Sequence, residues 1–399
     1  MAVANGVYTT GAVTVEAIPN EYIITTDATA TADKIFKDES AYINGQKIIG
    51  NFTIDSEVNE QVDLITQIQS ALEGKAAGGN TSIEDALITQ TLTNYTNNRI
   101  TTIGKNAFGY YDTLTSVNFP KVTTIGSSAF GQCISLTNIS FPKVTTIKEN
   151  AFYYCTNLVS VSFPEAVVIG SAAFAQCTSL TNISFPKVTT INRNAFFACR
   201  PNLVSVSFPK ATVVGASAFY DCRSLVTANF PEVTTIDMSA FANCYNLTNI
   251  SFPKAIILSD YAFNGCRSSL TNVNFPEVTT LGSNVFFNCS KLTNISFPKV
   301  TTIKESAFYG CIELTSISFP EAVIINEYAF YRCLNLKELY LMGSSVCQLK
   351  TSRVFGSTPI GGYSTSAGTY GSIYVPASLL ASYKAATNWV YFSSCMVGI

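Results

Sequence analysis

A mainly β solenoid of about eleven stacked rungs is the expected architecture of this 399-residue chain, and three features point to it. The segment 136–152, LTNISFPKVTTIKENAF, returns almost unchanged at 180–196 and 292–308. Phe-Pro pairs recur at Phe119, Phe141, Phe163, Phe185, Phe208, Phe230, Phe252, Phe275, Phe297 and Phe319, stepping by 22 residues and by 23 only where 199–203 and 266–270 carry one extra residue. Ten of the twelve cysteines, from Cys133 to Cys333, stand three residues after a phenylalanine of the same repeat. A fixed period in the 20s means that each repeat buries its apolar face by stacking on the next.

Residues 1–54 are rich in Thr, Val and Ile and predict a small β module, with Asn44-Gly45 turning a hairpin between 41–43 and 47–49. In the segment 55–79, Asp55-Ser56 supplies an N-cap and Gly74 a stop. Between them Val58, Val62, Ile65, Ile68 and Leu72 form one narrow apolar stripe. Such a stripe suits a short parallel coiled coil between copies of the chain, a trimer being favoured, or a helix packed on its own hairpin. The flexible run 75–80 closes this part, and the solenoid is expected over 80–341. Within a rung, Leu-x-x-Ile-x-Phe reads as the longer strand and Val-Thr-Thr-Ile as the shorter, with proline at the corner, where its missing N–H leaves no partner unsatisfied. Residues 342–399 read as a C-terminal cap built from a strand, a proline stop and an amphipathic helix, with Trp389 as a core anchor.

Composition narrows the function. A hydrophobic share of 47% with 13% charged residues argues for a folded chain, and a net charge of −2 gives no footprint for nucleic acid. No apolar run is long enough to span a bilayer, and the first twenty residues lack the pattern of an export signal, so another route of release is expected. The chain has no histidine and no C-x-x-C, which leaves no zinc constellation, and no metal or other cofactor is expected. The cysteines are one column of the repeat, and side by side their Cβ vectors are parallel, so free buried thiols acting as small apolar residues are expected.

The pattern Ala-Phe-x-x-Cys-x-x-Leu-Thr-x-Ile-x-Phe-Pro-x-Val-Thr-x-Ile-Gly resembles the BspA-like, or Treponema-type, leucine-rich repeat family over roughly residues 88–341. The segment 373–389 resembles the C-terminal cap often found there. This resemblance implies a leucine-rich-repeat solenoid with a protein-binding or adhesive role and no catalysis. Residues 32–36 and 41–50, with the helix ending at 72–76, are similar to segments of phage and prophage tail proteins of Gram-positive bacteria. That second resemblance implies a tail fibre, attached to other virion proteins through the N-terminal module and released by lysis. The alternative is an adhesin on the bacterial cell surface.

Three surface columns remain as candidate sites. The outward residues of the long strand are Thr, Ser or Asn in nearly every rung, a uniform ladder that argues against one specific site. The residue after Phe-Pro alternates irregularly between Lys and Glu, so that Glu165, Glu232 and Glu277 adjoin lysines. Pairing Glu232 with Glu277, or Glu277 with Glu321, would make a polysaccharide-cleaving tailspike, but two rungs span about 10 Å and a lysine intervenes. The third column is the turn around Phe-x-x-Cys-x, where near-identical repeats differ. It carries Tyr153, Phe197, Tyr220, Phe287, Tyr309 and Tyr331 after the phenylalanine, and Arg200, Arg223, Tyr245 and Arg267 after the cysteine. Tyrosine and arginine on a rigid edge anchor recognition well. The expected partner is a bacterial surface protein or glycan, and the competing expectation is rings that merely pack over the rung edge.

Overall fold

The computed structural model describes residues 7–10, 13–16, 40–43, 46–49, 94–96, 98, 100–362 and 371–399. The chain divides into two units, Met1–Thr91 and Leu92–Ile399. In the first, Val7–Thr10 pairs antiparallel with Val13–Glu16, and Ser40–Ile43 pairs with Gln46–Ile49. Ile43 stands opposite Gln46, and the turn expected at Asn44-Gly45 lies outside the described residues. The helix expected over 55–73, with Val58, Val62, Ile65, Ile68 and Leu72, lies outside the described residues.

The second unit is the parallel solenoid. Each rung contributes a three-residue long strand such as Asn138–Ser140 and a two-residue short strand such as Thr146–Ile147. The short strands, from Thr102–Ile103 to Gln348–Leu349, form one unbroken 12-stranded parallel sheet with neighbouring rungs in register. The long strands, although longer, are split into sheets of two, two, three, three and four strands. Between them Phe141-Pro142-Lys143-Val144 closes a corner, the Val144 N–H donating to the Phe141 carbonyl, with proline at the position whose φ it pre-sets.

The core is built from two columns of phenylalanine. Phe130 stacks on Phe152 at 5.2 Å and 2°, and this column runs through to Phe330 and then Phe355. The Phe-Pro rings form a second column, for example Phe185 on Phe208 at 5.4 Å, tilted against the first at about 6 Å. Rings such as Phe130, Phe152, Phe185 and Phe208 are fully buried, each contributing on the order of 1.5–3 kcal/mol of apolar burial.

The turn beyond the short strand explains the cysteines. Two residues per rung adopt left-handed backbone, as Ser128 (φ 54°) and Gln132 (φ 61°) do, and Asn, Ser, Asp or Gly fill many of these positions because they tolerate it. Alternate N–H groups then point along the axis, so that Asn150, Phe152 and Tyr154 donate to Ser171, Ala173 and Ala175 of the next rung. The thiol points the other way: Cys155 Sγ donates to the Phe130 carbonyl at 3.0 Å, and Cys133, Cys177, Cys199, Cys222, Cys244, Cys266, Cys289, Cys311 and Cys333 repeat the contact. All twelve cysteines are free. Those of the column are therefore polar staples between rungs, more than the small apolar fillers expected.

The last residues continue the ladder as well as closing it. Ser372–Val375 pairs with Glu338–Tyr340 and with Met396–Gly398, extending the long-strand side past residue 341. The helix expected there is only Leu380–Ala385, preceded by a 3-10 turn at Ala377–Leu379. Trp389 is buried and its Nε1 donates to the Cys347 carbonyl at 2.6 Å, as befits a core anchor. Gly356 shows how tightly this end is closed. A Cβ there would collide with Cε2 of Tyr331, while the Gly356 carbonyl accepts from Arg332 N at 2.8 Å and cannot withdraw freely. Gly356→Ala should destabilise the chain by about 1–3 kcal/mol, read by urea unfolding. Adding Tyr331→Ala should recover most of that loss if the collision is the cause.

Candidate functional site

The edge column lies in the turn whose left-handed residues aim backbone groups along the axis, leaving the residues after Phe and after Cys to vary. The structure sorts the ten candidates into smaller groups. Phe197 stacks on Tyr220 at 5.2 Å, and Phe287, Tyr309 and Tyr331 form a second stack at 4.7 and 5.3 Å. Tyr153 stands apart, 6.1 Å from its neighbour Tyr154 and separated from Phe197 by the rung of Ala175. All six rings are half-buried, so packing over the rung edge is realised, and a stacked ring covers its neighbour's face.

The residues after the cysteines form one connected cluster. Arg200 Nη1 and Arg223 Nε both reach the Asp221 carboxylate at 2.7 Å. Asp221 is only 7% exposed, whereas the arginine side chains stay about half exposed at 41% and 47%. The Arg223 guanidinium lies 5.3 Å from the centre of the Tyr245 ring, and Arg267 lies 6.0 Å from it on the following rung. The hydrogen bond to the Asp221 carboxylate raises the Arg223 pKa, opposed in part by desolvation. Four successive rungs thus place Arg200, Arg223, Tyr245 and Arg267 in a line whose first two members share one carboxylate.

Asp221 was not among the candidates. It precedes Cys222 in a left-handed position (φ 62°), and the signal for it was its being the one acid in a column otherwise filled by Tyr, Gln, Ala, Asn, Gly and Arg332.

The other two columns behave differently. On the charged column, Lys187–Glu165, Lys254–Glu232 and Lys299–Glu277 each close at 2.6 Å. Two of the carboxylates considered for glycoside cleavage, Glu232 and Glu277, are therefore each held by a lysine of the next rung. On the long-strand face the polar ladder does bond along the axis, Ser160 to Asn138 and Ser205 to Asn182 at 2.5 Å. A shallow depression of about 540 Å³ lies across the break between the first two long-strand sheets, lined by Ser116, Asn118, Asn138, Ser140, Ser160 and Ser162 among others. Its polar groups are neutral hydroxyls and amides, and Val117, Ile139 and Val161 complete the lining. No helix among the described residues is long and apolar enough to cross a membrane.

Comparison with known proteins accords with this architecture. The family described as BspA type leucine rich repeat region (6 copies) matches residues 81–201, 189–277 and 256–361. Among solved structures, a leucine-rich repeat protein from Bacteroides ovatus is 24% identical, with 75% of this chain and 76% of that one covered, at a TM-score of 0.58. A leucine rich cell surface protein from Faecalibacterium prausnitzii is 20% identical over 100% of both chains, at a TM-score of 0.36. The leucine rich repeat protein of T. pallidum is 24% identical, covering 44% of this chain and 77% of its own, at a TM-score of 0.33. No curated protein matches.

Proposed function

Because the chain belongs to the BspA type leucine rich repeat family, we propose that it is a non-enzymatic adhesin whose solenoid attaches, through its turn edge, to a protein or glycan of a bacterial surface. The observation that carries this reading is the line of Arg200, Arg223, Tyr245 and Arg267, in which Asp221 braces the first two arginines and the Tyr245 ring lies between Arg223 and Arg267. Braced guanidiniums and half-buried rings enter a complex with little side-chain freedom left to lose, which is the property of good anchoring residues.

Two carriers are consistent with the proposal. A phage or prophage tail fibre is favoured by the resemblance of residues 32–36 and 41–50 to tail proteins, and the cell envelope is favoured by the family. In the first case the N-terminal module joins other virion proteins, and Val58, Val62, Ile65, Ile68 and Leu72 assemble copies of the chain, as a trimer. Mass spectrometry of purified phage particles and of washed envelopes from the producing culture decides between the carriers.

Adhesion itself is tested by adding fluorescently labelled full-length chain to a panel of intact bacterial cells. Changing Arg200, Arg223 and Arg267 together to Gln should lower binding at least about tenfold. Changing Lys187, Lys254 and Lys299 to Gln, on the charged column, should leave it unchanged. Equal binding by the parent and the arginine variant would remove the edge as the attachment surface.

A further inference from the structure

We infer that the turn edge between Tyr220 and Phe287 is a site for an anionic glycan, a chain of sugar rings carrying carboxylates, an inference that rests on the adhesin reading of the same edge. The column after the phenylalanines holds rings on both sides of this interval and none within it. Phe197 and Tyr220 form one stack, Phe287, Tyr309 and Tyr331 the other, and between them stand Ala242 and Asn264. Tyr220 is covered on one face by Phe197 and Phe287 on one face by Tyr309, while Ala242 and Asn264 put no ring of this column against the other faces. The interval is three rung steps, about 14 Å at the usual strand spacing. That length takes a few sugar rings, whose apolar C–H faces stack on aromatic rings.

Along this interval run Arg223, Tyr245 and Arg267, a tyrosine flanked by two guanidiniums. With Arg200 there are three positive charges against the one carboxylate of Asp221, so the cluster carries 3 − 1 = +2. Arg267 forms no ion pair among the described residues, and its guanidinium is exposed. A planar guanidinium binds a carboxylate through two parallel hydrogen bonds, which gives direction as well as charge. The neighbouring ion pair of Lys291 with Glu313 at 2.6 Å adds no net charge.

Repetition favours a glycan over an acidic peptide. The rung lattice presents chemically similar groups at a constant step, and a polymer of linked hexose rings repeats on the same length scale. An acidic peptide would use the guanidiniums but leave the two ring faces at the ends of the interval without a flat partner.

The test is calorimetric titration of the full-length chain with an oligomer of galacturonic acid and with the methyl ester of the same oligomer. Binding of the acid, at least about tenfold weaker for the ester and weakening with added salt, is expected. Arg267→Gln should lower affinity about tenfold, Arg267→Lys should restore only part of it, and Tyr245→Leu should weaken binding without changing its salt dependence. Equal binding of acid and ester, or full affinity in Arg267→Gln, would overturn the inference. Adhesion to cells separates its failure from that of the adhesin reading. If adhesion depends on Arg267 but is abolished by proteinase treatment of the cells and is not competed by the galacturonic acid oligomer, the glycan is wrong and the adhesin stands. If adhesion ignores all three arginines, both fall.

Discussion

Phe219→Ala will lower the stability of the solenoid by about 3–5 kcal/mol and will split its unfolding into more than one transition. Phe219 is fully buried, and its ring meets Phe196 at 5.2 Å and Phe241 at 5.3 Å in its own column. It also meets Phe208 at 6.0 Å and Phe230 at 5.8 Å in the other column. Removing it leaves a cavity bounded by backbone that is hydrogen bonded from rung to rung, which limits collapse. Each rung also depends only on its neighbours, so a weak interface in the middle uncouples the two halves instead of lowering the whole unit evenly. Urea unfolding followed by circular dichroism reads both effects. Lys187→Ala is the comparison, since its exposed pair with Glu165 should contribute no more than about 1 kcal/mol. A Phe219→Ala loss as small as that of Lys187→Ala would mean that the columns do not carry the fold.

Alkali will unfold the chain between about pH 9 and pH 12, and the cause will be the thiol column. Burial pushes the Cys199 thiol up to about 12 from 9.0, only partly offset by hydrogen bonds from the backbone of Cys177 and Gln176. The other thiols of the column whose pKa moves, including Cys222, Cys244, Cys289 and Cys311, move in the same direction for the same first reason. The folded pKa lies above the unfolded one, so the contribution of each neutral thiol is full below the unfolded value and is withdrawn as pH rises through the folded value. For the fully buried Cys199 the span of three units from 9.0 to about 12 amounts to roughly 4 kcal/mol by the top of the window. Circular dichroism against pH, with thiolate absorbance recorded alongside, checks this. Ionisation and loss of structure should coincide, and Cys199→Ala should move the midpoint upward. A folded signal persisting at pH 12.5 with the thiols ionised would contradict it.

The columns were legible in the sequence because a solenoid puts chemically equal residues at equal steps. Phe130, Cys133, Leu136, Ile139 and Phe141 each sit in the core as their spacing requires. The end of the ladder was harder to see. Phe355 continues the phenylalanine column from Phe330, stacking at 5.7 Å, but the chain between them departs from the 22-residue step, so counting residues alone does not find it. The direction of the cysteine thiols was hidden for another reason. Spacing shows that Cys155 is inward, but only the left-handed turn before it brings the Phe130 carbonyl within 3.0 Å of its sulfur. At the edge, Arg200, Arg223, Tyr245 and Arg267 were legible as deviations within a repeat. What joins them was not, because Asp221 ties Arg223 of its own rung to Arg200 of the rung before, and that pairing depends on how the two rungs stack. Nor did strand length foretell which sheet stays whole, since the two-residue strands make the unbroken one.

Footprinting by mass spectrometry tests the central claim, that recognition lies on the turn edge, most directly. Full-length chain bound to envelopes of a strain to which it adheres is treated with reagents specific for arginine and for lysine, and each rate is compared with that of the free chain. The account predicts slower modification of Arg223 and Arg267 and unchanged modification of Lys121, Lys143 and Lys210. Protection of those lysines with both arginines still reacting at their free rate would place attachment on another face and contradict it.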